Sequence, residues 1–163
     1  MSHEALGRSD EWYTPPQVFE ALGCSFDLDV APARYGVSHV PARTFLAGDG
    51  LAEPWFGYVW MNPPFGGRKD KAPWLDRFFE HGNGIALTPD RTSAPWFWPA
   101  WERAGAVLFT RKIRFLRPDG SEGESPSNGT ALFAAGEAGV VALERAARLG
   151  FGIIGTPRRL VAA

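Results

Sequence analysis

The order of the apolar segments predicts an α/β protein whose sheet is mainly parallel with an antiparallel edge. Early in the chain, short apolar segments typical of strands alternate with segments of helical periodicity, as in parallel sheets. After residue 105 the apolar segments follow one another more closely, which indicates antiparallel strands. We expect three layers, with helices on both faces of the sheet, and a chain of 163 residues is most simply one domain.

Four segments are expected to form helices: 15–22, 72–80, 94–104 and 140–149. Residues 15–22 begin with prolines, carry apolar residues at helical spacing and end near Gly23, a residue favoured just after a helix. Residues 94–104 are rich in tryptophan and are predicted as a helix despite Pro95 and Pro99. Residues 72–80 show an amphipathic helical pattern with Trp74, Leu75, Phe78 and Phe79.

Strands are expected at 26–30, 57–61, 84–88, 106–109, 112–116, 129–134 and 152–154. The first of these alternates apolar and acidic residues, as a half-buried strand does. Residues 31–54 are irregular, and no element is predicted in them. A polar loop is expected at 117–128, and residues 1–10 are expected to form a flexible tail.

The composition is ordinary for a soluble globular protein, with 45% hydrophobic and 21% charged residues. No apolar run is long enough to span a bilayer, and the start lacks a signal-peptide pattern. We therefore expect a cytoplasmic protein without membrane contact. The single cysteine, Cys24, excludes an internal disulfide, and the three histidines lack ligand spacing, so no metal is expected. No nucleophile has an adjacent base, which disfavours hydrolases.

The segment Asn62-Pro63-Pro64-Phe65 directly follows a predicted strand and is both rigid and rich in acceptors. Proline has a fixed φ and no backbone N–H, so the two prolines hold a stiff loop. The Asn62 side chain adds an amide oxygen, and Phe65 can stack on a planar base. Two aligned acceptors suit an amine with two hydrogens to donate, such as the amino group of adenine or cytosine.

These four residues resemble the (Asp/Asn/Ser)-Pro-Pro-(Tyr/Phe/Trp) signature of amino methyltransferases that use S-adenosylmethionine. The resemblance implies a Rossmann-like methyltransferase fold for the single domain 1–163 and a catalytic centre formed by Asn62, Pro63, Pro64 and Phe65. Asn62 and the Pro63 carbonyl are then expected to accept hydrogen bonds from a target amine.

Three further segments resemble cofactor-binding elements of such enzymes and occur in the same order. One is the Thr-Pro element before the first helix, one is the first strand with its acidic loop, and one is an Asp-x-Leu element that binds the cofactor's adenine. The implied cofactor-binding residues are Trp12, Thr14, Pro15, Asp29, Ala31, Asp49, Gly50 and Leu51. Whether Asp29 meets the cofactor's ribose or its methionine end stays open. The glycine-rich turn common in methyltransferases is replaced by Val30-Ala31-Pro32-Ala33.

The combined pattern is most similar to small DNA N6-adenine methyltransferases encoded by phages and prophages, sometimes called Dam-like phage enzymes. Its other elements are Asp10-Glu11-Trp12 and Leu87-Thr88-Pro89-Asp90-Arg91-Thr92 with Trp96-Phe97. The resemblance implies methylation of a flipped adenine in the cytoplasm of a bacterial or phage-infected cell. Asn-Pro-Pro-Phe also resembles guanine-N2 methyltransferases of ribosomal RNA, and the related Asn-Pro-Pro-Tyr resembles glutamine methyltransferases of release factors. A catalytically silent module that binds the cofactor or DNA is a further alternative.

Local basic clusters, rather than the net charge of −1, are the candidate contacts to double-stranded DNA. The residues expected there are Arg68, Lys69, Arg111, Lys112, Arg114 and Phe115. The segments 112–115 and 130–133 resemble the late strands that border the target-base pocket in this family. Because a chain of 163 residues without a recognisable target-recognition domain has little material left to contact base edges, we expect a short or relaxed adenine-containing site. We also expect a monomer or weak homodimer.

Overall fold

A computed structural model describes residues 12–34, 37–64 and 71–162, and these form an α/β structure with one seven-stranded mixed sheet and four helices. The helices are α1 (Pro16–Leu22), α2 (Lys71–His81), α3 (Phe97–Arg103) and α4 (Glu137–Arg148). The strands are β1 (Phe26–Asp29), β2 (Ala42–Phe45), β3 (Val59–Met61), β4 (Gly84–Pro89), β5 (Ala106–Thr110), β6 (Thr130–Ala135) and β7 (Gly152–Gly155). The predicted tail at 1–10 and the site residues Phe65, Arg68 and Lys69 lie outside the described residues.

The strand order is β2-β1-β3-β4-β6-β5-β7. Strands β2, β1, β3 and β4 are parallel, whereas the pairs β4 with β6, β6 with β5, and β5 with β7 are antiparallel. The antiparallel part therefore makes up half of the strand pairings and is larger than the edge that the sequence predicts. Within the described chain, no helix combines the length and apolar character needed to cross a membrane.

Two hydrophobic clusters lie on the two faces of the sheet and give the expected three layers. On one face, Phe19 and Leu22 of α1 and Leu143 of α4 pack with sheet residues such as Trp60. The other cluster joins residues of α2 and α3 to the opposite face, and Phe78 is completely buried in it. Since successive side chains of a strand point to opposite faces, both faces of the central strands are apolar.

The short helix α1 is bounded by the residues that the sequence indicates. Pro16 begins the helix, where a missing N–H costs nothing. Gly23 follows it in the left-handed conformation, with φ 63°, and donates its N–H to the carbonyl of Phe19. Helix α1 thus ends where the chain must turn into β1.

Several further sequence predictions differ from the structure, among them the start of α4, which lies at Glu137 rather than at 140. Strand β2 lies in residues 31–54, where none is predicted, because its mostly exposed side chains leave no apolar alternation to detect. Helix α3 begins at Phe97 rather than at 94. The predicted strand at 112–116 is wrong: Leu116 makes only isolated bridges, and Ile113 and Phe115 bury their side chains in the core cluster beside α1.

Candidate functional site

The candidate site lies where two adjacent parallel strands end and the chain leaves them in opposite directions. Strands β1 and β3 pair in register, with Asp29 beside Trp60. After β1 the chain continues to β2 on one side, and after β3 it passes through α2 to β4 on the other side. Open α/β sheets bind ligands in the crevice that such a reversal creates at the carboxyl ends of the strands.

Asp29 is a buried carboxyl group at the end of β1. The residue is only 2% exposed, and its Oδ1 accepts a hydrogen bond of 3.1 Å from the backbone N–H of Ala31. Burial disfavours the charged form and raises the pKa of Asp29 to about 7, although the Ala31 hydrogen bond opposes this shift. A cationic ligand group that reached this carboxylate would therefore find a poorly solvated negative charge.

Asn62, the first residue after β3, has an oriented side chain with an unused acceptor. Its Nδ2 donates a hydrogen bond of 3.2 Å to the hydroxyl oxygen of Thr14, which is itself 4% exposed. The Asn62 Oδ1 is buried and accepts no hydrogen bond from any residue that the structure describes. An unsatisfied buried acceptor costs about 1–3 kcal/mol, which makes this oxygen a candidate acceptor for a hydrogen of a bound ligand.

The segment before α1, which contains Thr14, is held beside Asn62 by contacts with residues 116–123. Tyr13 and Leu116 exchange two backbone hydrogen bonds of 2.9 Å, and Tyr13 is buried. Trp12 packs against Gly123, where an added Cβ would lie 2.5 Å from the indole ring. The structure therefore places Thr14 in contact with Asn62, which the sequence does not indicate. The contact of Thr14 with a cofactor stays a prediction.

Asp29 and Asn62 line one small pocket of about 220 Å³. Of the predicted residues, this pocket brings together Trp12, Thr14, Asp29, Ala31, Asn62, Pro63 and Pro64. Pro15 is buried and precedes α1, and it is not part of the lining. Sequence reasoning missed Arg34, Ser38 and His39, which also line the pocket. They lie in an irregular segment without periodicity, so no local signal pointed to them.

The Asp49-Gly50-Leu51 turn lies beside the end of β1 but does not line the small pocket. Asp49 is exposed, and its Oδ1 accepts a hydrogen bond of 2.9 Å from the backbone N–H of Leu51. Gly50 is buried against Val30, and an added Cβ would lie 2.1 Å from the Val30 carbonyl oxygen. The side chain of Arg77 donates to the carbonyls of Leu51 and Glu53, which attaches the turn to α2.

A second, larger cleft of about 1130 Å³ adjoins the small pocket, and Trp12 lines both. Phe115 lines this cleft, whereas Arg111, Lys112 and Arg114 are exposed outside its lining. The cleft is lined by Trp12, Lys71, Pro89, Arg91, Ala94, Pro95, Trp96, Phe115, Arg117 and residues 124–130. Its basic residues are Lys71, Arg91 and Arg117, of which Lys71 and Arg117 belong to the two basic clusters that the sequence shows at 68–71 and 111–117.

The fold and these two cavities define an α/β protein with a buried carboxyl group and an oriented amide at the carboxyl edge of its parallel strands. Among the described residues, no three His, Cys, Asp or Glu side chains are grouped as metal ligands. Comparison of the chain with models of protein families, with curated proteins and with solved structures found no match.

Proposed function

We propose that the protein is a DNA adenine-N6 methyltransferase that uses S-adenosylmethionine and has a Rossmann-like methyltransferase fold. The observation that carries this proposal is the buried, unsatisfied Oδ1 of Asn62 beside the carboxyl end of β3. Such an oxygen suits a substrate with hydrogens to donate and has no evident use in folding, because leaving it unpaired costs free energy.

In this proposal, Asn62 and the carbonyl of Pro63 hold the target amino group. With Nδ2 donating to the Thr14 hydroxyl, the Asn62 Oδ1 would face the amine. An exocyclic amine is a poor nucleophile because its lone pair is delocalised into the ring, and two aligned acceptors favour the tetrahedral form that exposes this pair. Holding the two reacting groups in place is the main contribution that such a rigid site makes to the rate.

The small pocket fits one end of S-adenosylmethionine rather than the whole molecule. Its volume of about 220 Å³ lies below the roughly 300–1000 Å³ usual for drug-sized ligands. Asp29 would meet the cationic methionine end, and the remainder of the cofactor would extend toward the Asp49 turn. When bound, the cofactor would supply a methyl group on a sulfonium. Transfer of this methyl to the amine nitrogen would break the C–S bond, leave a neutral thioether and release one amine proton to solvent.

The proposal is tested by methyl transfer from labelled cofactor to double-stranded DNA, RNA and protein in parallel, with digestion of the product to nucleosides. We expect label in DNA as N6-methyladenine. If the label appeared only in RNA or only in protein, that molecule and not DNA would be the substrate. Cofactor binding by calorimetry without transfer to any substrate would indicate a silent binding module, and absence of binding would overturn the proposal.

A further inference from the structure

The large cleft combines aromatic and cationic side chains from separate segments of the chain. Trp12 comes from the segment before α1 and is 37% exposed. Trp96 precedes α3, is half-buried, and packs against Phe97 with ring centroids 5.6 Å apart. The two indoles belong to parts of the chain that meet only in the tertiary structure, and each has a neighbour that holds it in place.

The charge of the cleft favours a polyanion. Among the described residues, Lys71, Arg91 and Arg117 line it together with one acidic residue, Glu124. The Lys71 ammonium lies 5.9 Å from the centroid of the Trp96 ring, so a cation and a stacking surface are adjacent. Arg117 is oriented by hydrogen bonds to the hydroxyl of Ser121 and the carbonyl of Glu122. Alternation of aromatic and basic groups is typical of grooves that follow a single strand of nucleic acid.

The size of the cleft favours a run of several nucleotides over a single flipped base. An enzyme that extrudes one base from a duplex encloses it in a close-fitting pocket. This cleft, at about 1130 Å³, exceeds the roughly 300–1000 Å³ that holds a whole drug-sized ligand. A single base would leave much of it unfilled, whereas several consecutive nucleotides would contact both indoles and the three cations.

We propose that this cleft binds a run of unpaired nucleotides, so that the preferred substrate is a single-stranded polynucleotide rather than a duplex. The inference rests on the proposed function, which makes nucleic acid the substrate. It adds that the bound nucleic acid is single-stranded. Trp12, as the wall shared with the small pocket, would place one nucleotide of the strand next to Asn62.

The test is fluorescence anisotropy with a dye-labelled DNA strand of about 12 nucleotides, the same strand in a duplex, and an RNA strand of equal sequence, within the usual site sizes of such grooves. We expect the unpaired strand to bind about tenfold more tightly than the duplex. Trp96→Ala should weaken strand binding about tenfold, in keeping with the loss of one stacking contact. Trp96→Phe should restore most of it, and it covers the case in which the alanine variant does not fold.

Matched controls come from the same region and from the opposite face. Trp98 is 70% exposed and does not line the cleft, so Trp98→Ala should bind the strand like the wild type. Arg91→Ala should reduce the salt dependence of strand binding, whereas Arg148→Ala, on α4, should not.

The outcomes distinguish the inference from the proposed function. Duplex binding as tight as strand binding, or an unchanged affinity of Trp96→Ala, would overturn the inference even if the duplex is methylated. Tight strand binding without methyl transfer to any nucleic acid would support the cleft assignment and count against the methyltransferase proposal. Tighter binding of RNA than of DNA would support the inference and identify RNA as the strand.

Discussion

The two cavities at the carboxyl edge of the sheet are built differently. The small pocket is formed largely around strand ends, and its polar groups Asp29, Asn62 and Thr14 are mostly buried and held by hydrogen bonds. The large cleft is formed mainly by the loops before α3 and before β6, and many of its polar side chains are exposed. In the proposed enzyme, groups that must be placed accurately would thus be attached to the rigid sheet, while groups that contact a polymer would be carried on loops.

The largest expected effect tests whether the small pocket performs the chemistry. Asn62→Ala should lower methyl transfer by on the order of 100-fold or more, because a fixed group that stabilises the reacting centre is lost. Cofactor affinity, measured by calorimetry, should stay within a few-fold. Asn83→Ala is the matched control, since Asn83 immediately precedes β4 and lies at the amino edge of the parallel strands. A mutant that retained most of its turnover would show that Asn62 does not hold the amine.

The next prediction tests the packing that holds the Asp49 turn beside this pocket. Gly50→Ala should lower the free energy of unfolding by about 1–3 kcal/mol, because the new methyl group would overlap the Val30 carbonyl and the Trp74 ring. Thermal or urea unfolding measures this change. Ala52→Ser, in an exposed position of the same turn, should have little effect. Equal stability of the two variants would mean that the turn is not packed tightly against β1.

A smaller effect concerns the buried carboxyl group. The pKa of Asp29 is raised to about 7. Asp29 is therefore protonated in about nine tenths of the molecules at pH 6 and ionised in about nine tenths of them at pH 8. If the ionised form binds the cationic end of the cofactor, affinity should be about tenfold higher at pH 8 than at pH 6, with proton release on binding. Calorimetry in two buffers of different ionisation enthalpy measures both quantities.

The same titration affects stability in the opposite direction. The folded state keeps the Asp29 proton up to about pH 7, whereas the unfolded chain loses it near 3.8, so this group destabilises the free protein as pH rises between these values. Asp29→Asn should remove this dependence and bind the cofactor weakly at both pH values. His39→Gln is the control for a nearby polar side chain that also lines the pocket. Affinity independent of pH in the wild type would argue against contact between Asp29 and the cationic group.

The smallest expected effect distinguishes the large cleft from the basic surface next to it. Arg111, Lys112 and Arg114 are exposed outside the cleft, and the Arg114 guanidinium lies 4.0 Å from the Glu122 carboxylate. Replacing all three with alanine should lower DNA affinity a few-fold on every sequence and flatten its salt dependence, because phosphate contacts carry no sequence information. Anisotropy at several salt concentrations measures both. A loss confined to one sequence would instead assign base recognition to this segment.

Local patterns predicted much of the secondary structure. Helix α1 follows from its prolines and Gly23, and β4 and β6 follow from continuous apolar runs, because each signal is contained within a few residues. Strand β2 was missed because its register with β1 is determined by the neighbouring strand and not by its own exposed side chains. Buried and exposed side chains do alternate at 112–115, with Ile113 and Phe115 buried in the core cluster. The backbone of this segment nevertheless does not pair as a strand of the sheet.

By itself, the sequence determined that Asp29 lies in a strand segment and that Asn62 directly follows one, because burial of a strand leaves a periodic trace in the chain. Only the tertiary structure decided that β1 and β3 are neighbours, which places these two residues at one crevice. It also decided that Thr14 bonds to Asn62 across 48 residues and that Trp12 separates two cavities. The physical reason is that contacts between distant segments depend on strand order and on how the loops pack, and no local sequence pattern encodes either.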